Sequence, residues 1–259
     1  MARIIEISGR KVGKGYPHII SAEVGLNHGG NMVAARESIR QAAKCGCDAV
    51  KFQNYRTADF VKNRNEMYTD GRGIEWNMWD LCQKCELAFE DLGELKYYAD
   101  KLGLIFHSTP TSREGVDDLV KLGVPVLKNG ADYWENLKLV SYMIMSNIPV
   151  VMSVADGYGN ADLWMLTAEN ESMIVLHTVR EYPAKDWDEE RFKLIKELYP
   201  LVGYSDHTIG IDAALKAVKL GAVWVETHFT LDKTMHGPDH FFSKDPAEMK
   251  QLVEAIRGQ

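Results

Sequence analysis

The stretch KLGAVWVETHF, residues 219–229, holds one complete structural junction. Lys219 and Leu220 end an amphipathic run, Gly221 stops it, and a β-branched and aromatic run follows that closes on the polar triplet Glu226-Thr227-His228. A helix stopped by glycine and followed by a short apolar strand is the mark of a βα unit. The same junction recurs in KCGCDAV (44–50), KLGLIF (101–106) and KLGVPV (121–126). Carried along the chain, the pattern predicts strands at 19–24, 48–53, 104–108, 124–128, 149–153, 173–177, 201–205 and 223–228. Between them it predicts helices at 31–45, 75–102 in two pieces, 112–121, 135–146, 160–169, 187–198, 210–220 and 246–257. Eight βα units in a chain of 259 residues predict a closed (β/α)8 TIM barrel, in the α/β class. An open doubly wound sheet would more often hold about five to seven strands, and no glycine-rich stretch has the Rossmann spacing. Residues 3–7 and 11–14, around Ser8-Gly9-Arg10, read as a hairpin within an N-terminal extension over 1–17 that plugs one end of the barrel. The whole of 1–259 is expected to be a single barrel domain.

Composition narrows the function classes. With 46% hydrophobic and 26% charged residues the chain can bury a full core. Its net charge of -7, with no basic stripe, argues against a nucleic-acid surface. No run approaches the ~20 apolar residues of a membrane span, and the N-terminus lacks a signal-peptide core, so a soluble cytoplasmic protein is expected. The four cysteines, Cys45-x-Cys47 and Cys82-x-x-Cys85, read as buried reduced thiols rather than a zinc or redox pair. The longest connection, from Asn54 to about Ile74, follows the second strand on the face where barrel enzymes carry substrate loops.

The strand ends carry the chemistry. An idle barrel should be filled by Val, Ile and Leu. Here the ends read Glu23, Lys51 with Gln53, His107 with Thr109, Lys128, Ser153, His177, Ser205 with His207, and Glu226 with His228. Residues two apart on a strand share a face, so each pair is expected to face the axis. Buried lysines are costly without a partner, and a set like this points to a ligand. Lys51 and Lys128 with the hydroxyls of Thr109, Ser153 and Ser205 suit a phosphate and a carboxylate. His207 and His228 suit a divalent metal acting as Lewis acid on a carbonyl oxygen. Glu23, Glu226 and Asp239 remain for proton transfer or for the hydroxyls of a polyol.

The segments AEVGLNHGG (22–30), DAVKFQ (48–53), HSTPTS (107–112), VPVLK (124–128), EYPA (181–184), GYSDHTIG (203–210) and VETHFTLDKTMHGPDH (225–240) resemble the sialic acid synthase (N-acetylneuraminate synthase) family. The resemblance runs from about residue 18 to 257 and implies a cytoplasmic, homodimeric barrel enzyme. Such an enzyme condenses phosphoenolpyruvate with an N-acylated amino-sugar aldehyde of the N-acetylmannosamine kind, releasing phosphate and giving a nonulosonic 2-keto acid. It further implies Mn2+ or Mg2+ on His207 and His228, with Glu226 beside the metal. Phosphoenolpyruvate would lie on Lys51, Thr109, Lys128, Ser153 and Ser205, and the sugar on Glu23, Gln53, Tyr182 and Asp239. Three departures stand out. Ala131 replaces the serine of the family's K-x-x-S pattern, and Arg180 takes a place often held by a small polar residue, where it is expected either to add a cation to the anion site or to block the sugar. The family's C-terminal antifreeze-like domain has no counterpart before Gln259, so a separate lid protein is one expectation. The same residues also fit a non-catalytic or lid-requiring anion-binding subunit, or another metal-assisted aldolase or 3-deoxy-keto acid synthase.

Overall fold

Helices start and stop where side-chain chemistry dictates, in a computed structural model that describes residues 3–155, 161–167 and 170–258. The first part of the chain forms β1 (Ile4–Ile7), β2 (Arg10–Gly13), β3 (Ile19–Glu23), α1 (Met32–Cys45), β4 (Ala49–Asn54), α2 (Thr57–Phe60), β5 (Met67–Thr69), β6 (Glu75–Asn77), α3 (Met78–Cys85) and α4 (Phe89–Lys101). There follow β7 (Ile105–Pro110), α5 (Arg113–Leu122), β8 (Leu127–Asn129), α6 (Leu137–Met145), β9 (Val150–Val154) and α7 (Ala161–Thr167). The last third forms β10 (Met173–Thr178), α8 (Glu189–Leu198), β11 (Val202–Asp206), α9 (Asp212–Lys219), β12 (Trp224–His228) and α10 (Pro246–Arg257). Asn31 opens α1 by accepting from the N–H groups of Val33 and Ala34, and Ser112 opens α5 by accepting from Gly115. Gly46 and Gly123 close the same helices at φ of 86° and 69°, a left-handed turn that costs glycine little, and return their N–H groups to last-turn carbonyls.

The eight parallel strands β3, β4, β7, β8, β9, β10, β11 and β12 close into a barrel in that order, with β12 pairing back to β3. Period two divides each strand. Ile20, Val50, Phe52, Phe106, Val175 and Val225 pack in the layer beneath the helices. Burial of a side chain such as Phe52 or Phe106, both 0% exposed, stabilises by about 1.5–3 kcal/mol. Ile19, Ala49, Ile105, Val151, Ile174 and Trp224 fill the lower interior of the barrel. Ile7 and Val12, from the antiparallel β1–β2 hairpin, join that lower cluster, so the hairpin plugs the amino end as expected. Arg10 and Arg257 both pair with the buried Asp48, whose other contact is the N–H of Ile20, and thereby tie hairpin and last helix to the same end.

Several boundaries differ from expectation, each for a physical reason. The fourth strand is only Leu127–Asn129 rather than 124–128, because Pro125 has no N–H to give to a ladder. Residues 75–77 form a strand, not the start of a helix; they pair with β5 as a hairpin within the long connection after β4. The expected helix over 160–169 covers Ala161–Thr167, and residues 160, 168 and 169 lie outside the described set. All four cysteines are buried free thiols. Among the described residues no helix is long and apolar enough to cross a membrane.

Candidate active site at the carboxyl end of the barrel

Strand register brings the polar ends together: Glu23 pairs across to Lys51 and to His228, Gln53 to Thr109, and Ser205 to Glu226. With Lys128, Ser153, Tyr182, His207 and Asp239 these residues line one cavity of about 320 Å³.

Its floor is a charge cluster. Lys51 Nζ lies 3.1 Å from Glu23 Oε2 and 3.2 Å from Glu226 Oε1, and donates to Thr109 Oγ1 at 3.4 Å. Lys128 Nζ donates to Ser153 Oγ at 2.7 Å and to the Asn129 carbonyl at 2.9 Å, and lies 3.6 Å from Glu226 Oε1. Glu226 therefore serves both lysines. Burial works against its charge, yet Lys128 and Lys51 hold it down at about 2. Burial pushes Glu23 up to about 7, against the pull of Lys51. Burial also lowers Lys128 to about 8, with Glu226 opposing, whereas on Lys51 the two glutamates outweigh burial and leave its pKa raised. The cluster thus holds one permanent carboxylate and two groups that titrate near neutrality.

Beside it stand two imidazoles with ring centroids 5.4 Å apart. His207 Nδ1 lies 2.7 Å from the Val179 carbonyl. A carbonyl can only accept, so Nδ1 carries the proton and Nε2 keeps its lone pair. Burial lowers His207 to about 4 and takes His228 well below its ordinary range, so both rings are neutral near pH 7. His228 Nδ1 is buried without a hydrogen-bond partner, and Asp239 Oδ2 lies 3.8 Å from it. Burial and Asp70 raise Asp239 to about 7. Tyr182 packs over His207 with ring centroids 4.2 Å apart. Neutral imidazoles with free lone pairs, next to Glu226 and Asp239, fit a divalent ion. Among the described residues no three His, Cys, Asp or Glu side chains group as a metal site, so the two imidazoles are the groups that would hold such an ion.

Arg180 is the candidate that the fold does not bring in. Its side chain is 47% exposed and sits 3.9 Å from Asp132 at the rim, so it adds no cation to the floor. Ala131 does line the cavity, putting a methyl where the family's K-x-x-S pattern has a hydroxyl. On the sixth strand, His177 faces outward and stacks on Tyr204 at 5.9 Å; the inward residue is Thr178, whose hydroxyl donates to the Ser205 carbonyl. His107 faces inward one layer below the cavity, at 2.8 Å from Ser21 Oγ. Sequence reading also missed Tyr68, on the short β5 of the hairpin after β4, and Asp132 and Tyr133, which reach the cavity from the loop after β8. Behind the GYSDHT motif, buried Lys244 pairs with Asp206 at 3.3 Å and donates to the Thr208 carbonyl, clamping the turn that carries His207. Asp206 alternates with Ser205 and His207, and its outward parity was the available signal.

Known proteins share this barrel. The signature of the NeuB family matches residues 38–259. An uncharacterized protein of Methanocaldococcus jannaschii is 40% identical over 98% of this chain and 74% of its own length. The N,N'-diacetyllegionaminic acid synthase of Legionella pneumophila is 33% identical over 92% of this chain and 71% of its own. Among solved structures, the N-acetylneuraminic acid (sialic acid) synthetase of Leptospira borgpetersenii, in complex with citrate, aligns with a TM-score of 0.91 at 28% identity, covering 100% of this chain and 89% of that one. With the family signature over most of its length and relatives of this identity along nearly all of it, the chain belongs to the NeuB family of sialic acid synthase-like barrels.

Proposed function

We propose that this protein condenses phosphoenolpyruvate with the open-chain aldehyde of an N-acylated amino sugar, giving a nonulosonic 2-keto acid and phosphate. The observation that carries this reading is the meeting of two buried lysines and two neutral imidazoles in one cavity, which supplies an anion floor beside a carbonyl-activating side. Relatives named as synthases of N,N'-diacetyllegionaminic acid and of N-acetylneuraminic acid support an N-acylated sugar acid as the product. A homodimeric working form belongs to the same proposal.

Lys51 and Lys128, with Thr109, Ser153 and Ser205, bind the phosphate and carboxylate and hold the enol carbon toward the sugar. Carbon 3 of phosphoenolpyruvate bonds to the aldehyde carbon, whose oxygen takes up a proton and becomes a hydroxyl. Water adds to carbon 2; its bond to the phosphate oxygen then breaks, phosphate leaves with the electron pair, and loss of the hydroxyl proton gives the ketone. The two protons of water end on the new hydroxyl and on phosphate. Manganese or magnesium, held by His207 and His228, would supply Lewis-acid polarisation of the aldehyde oxygen. Glu23 and Asp239, raised to about 7, are the carboxyls that can both take and give a proton near neutrality, while Glu226 stays anionic and keeps both lysines in place. Gln53 and Tyr182 orient the sugar.

Purified protein with manganese is expected to release phosphate from phosphoenolpyruvate only when an N-acyl hexosamine is present. Binding of phosphoenolpyruvate without turnover across a sugar panel, with metal occupancy measured, would refute the synthase reading.

A pH dependence follows from the floor. Below about pH 7 Glu23 is protonated, and Lys51, Lys128 and Glu226 sum to one positive charge; above it the four groups sum to zero. Above about 8 Lys128 also loses its proton. Affinity for phosphoenolpyruvate should therefore fall as pH rises from 6 to 9, by up to about tenfold per unit where one proton is taken up on binding. Calorimetric titration across that range checks the slope, and Glu23→Gln should flatten its first step.

A further inference from the structure

The turn between β5 and β6, Asp70-Gly71-Arg72-Gly73, touches two loops of the site at once. A Cβ on Gly71 would stand 2.6 Å from Pro183 Cδ, 2.8 Å from the Tyr182 carbonyl oxygen and 3.1 Å from Phe241 Cζ. The backbone of the turn is therefore seated against both the loop of Tyr182 and the loop of Asp239. Arg72 makes the polar bond to the second loop: its Nη2 donates to the Gly237 carbonyl at 2.9 Å. Its guanidinium carbon lies 4.6 Å from the Phe241 ring centroid, a cation–π distance. Gly237 and Phe241 flank Asp239 on either side, two residues away, so Arg72 grips the loop at both ends of the residue that stands 3.8 Å from His228.

The grip is itself held from behind. Asp70, whose side chain is 0% exposed, accepts on Oδ1 from the N–H groups of Arg72 at 2.8 Å and Ile74 at 3.2 Å. On Oδ2 it accepts from Arg72 Nη2 at 2.6 Å, from Arg72 Nε at 3.2 Å and from the Trp76 indole at 2.9 Å. One buried carboxylate thus fixes the plane of the guanidinium before any substrate arrives. The anion floor is built separately: Lys51 and Lys128 are partnered by Glu226, Thr109 and Ser153, which belong to barrel strands and to neither loop nor turn.

Resting on the synthase reading above, we propose that Arg72 is a positioning residue: clamped by Asp70, it holds the 237–241 loop so that Asp239 faces His228, and it acts on the sugar step without acting on the phosphoenolpyruvate floor. Gly71 serves the same end, because any side chain there would push the turn off Tyr182, whose ring packs over His207.

The test uses the full chain carrying Arg72→Met, which keeps most of the stem and removes the fork. With manganese and saturating phosphoenolpyruvate, kcat/KM for N-acetylmannosamine should fall by about 10²-fold, the size expected when a reacting group is misplaced by about 1 Å. The Kd for phosphoenolpyruvate, measured by calorimetry without sugar, should stay within about twofold of wild type, as for sites that share no partner. Amide exchange at Ser243, whose N–H donates to the Asp239 carbonyl at 3.2 Å, should quicken by about tenfold or more while β12 keeps its protection. Wild-type sugar turnover, a phosphoenolpyruvate Kd weakened as much as the sugar step, or unchanged exchange at Ser243 each overturns the proposal and leaves Arg72 a role in stability alone. Where Arg72→Met does not fold, Arg72→Lys decides by the same three readings, since it keeps a cation beside Asp70 and loses the planar fork. A wild-type protein that turns over no sugar refutes the synthase reading, and the clamp is then judged without turnover. Faster exchange at Ser243 with an unchanged phosphoenolpyruvate Kd supports it, and unchanged exchange overturns it.

Discussion

Lys128→Met is expected to lower kcat/KM for phosphoenolpyruvate by about 10²–10³-fold while the protein stays folded, since removing one partner of a buried charge contact costs about 2–5 kcal/mol. Lys128 is 1% exposed and lines the cavity, so its charge acts on what the cavity holds and on Glu226. Methionine keeps most of the stem and removes the ammonium. Glu226 is not stranded by this change, because Lys51 remains 3.2 Å from it. Lys51→Met is the harsher change for the fold, as Glu23 and Glu226 would both lose their nearest cation. Burying an ammonium is costly in itself, so thermal stability of Lys128→Met should hold or rise. Lys128→Arg should not rescue activity, because a planar fork does not fit the space of a fully buried ammonium that donates to Ser153 and the Asn129 carbonyl. Calorimetry for binding, phosphate release for turnover and a melting curve together decide the matter. Wild-type kcat/KM in a folded Lys128→Met protein would remove the lysine from the anion site.

Much of this site was legible in the sequence because a barrel strand has a strict period and a defined polar end. Once Lys51 was placed on a strand, Gln53 had to share its face, and the same holds for Glu226 with His228. Parity failed where the register had to be known first. The pairing of Val175 with Val202 and of Thr178 with Ser205 sets which face of β10 looks inward, and it turns His177 out and Thr178 in. The fourth strand was overextended because the apolar pattern of Val124-Pro125-Val126 outweighed the missing N–H of Pro125 in the reading. Arg180 follows β10 in a loop, and a loop carries no periodicity to say that its guanidinium meets Asp132 rather than the floor.

Gly203→Ala should cost about 3 kcal/mol or more, the upper end of what overpacking a core usually costs. Gly203 points inward on β11, opposite Trp224 on β12. A Cβ there would stand 2.3 Å from the Trp224 carbonyl oxygen, 2.5 Å from Leu176 Cδ2 and 3.0 Å from Trp224 Cβ. Leu176 could turn aside, but the carbonyl belongs to the neighbouring strand and moves only with it. Trp224 is itself fully buried and meets His107 edge-on at 5.4 Å, so the lower interior has no slack to take up the shift. β12 would therefore be pushed outward, and it carries Glu226 and His228, while β11 leads to Ser205 and His207. For a chain of this size the stability loss corresponds to a fall in melting temperature of about 6–12 °C. Turnover should drop with it even well below the melting point, because both imidazoles and the shared carboxylate lie within four residues of the clash. A fall of under about 2 °C would mean that the two strands separate at almost no cost, which is incompatible with a packed barrel interior. The glycine of the GYSDHT motif thus has a packing role, holding β11 close enough to β12 for the two histidines to face each other.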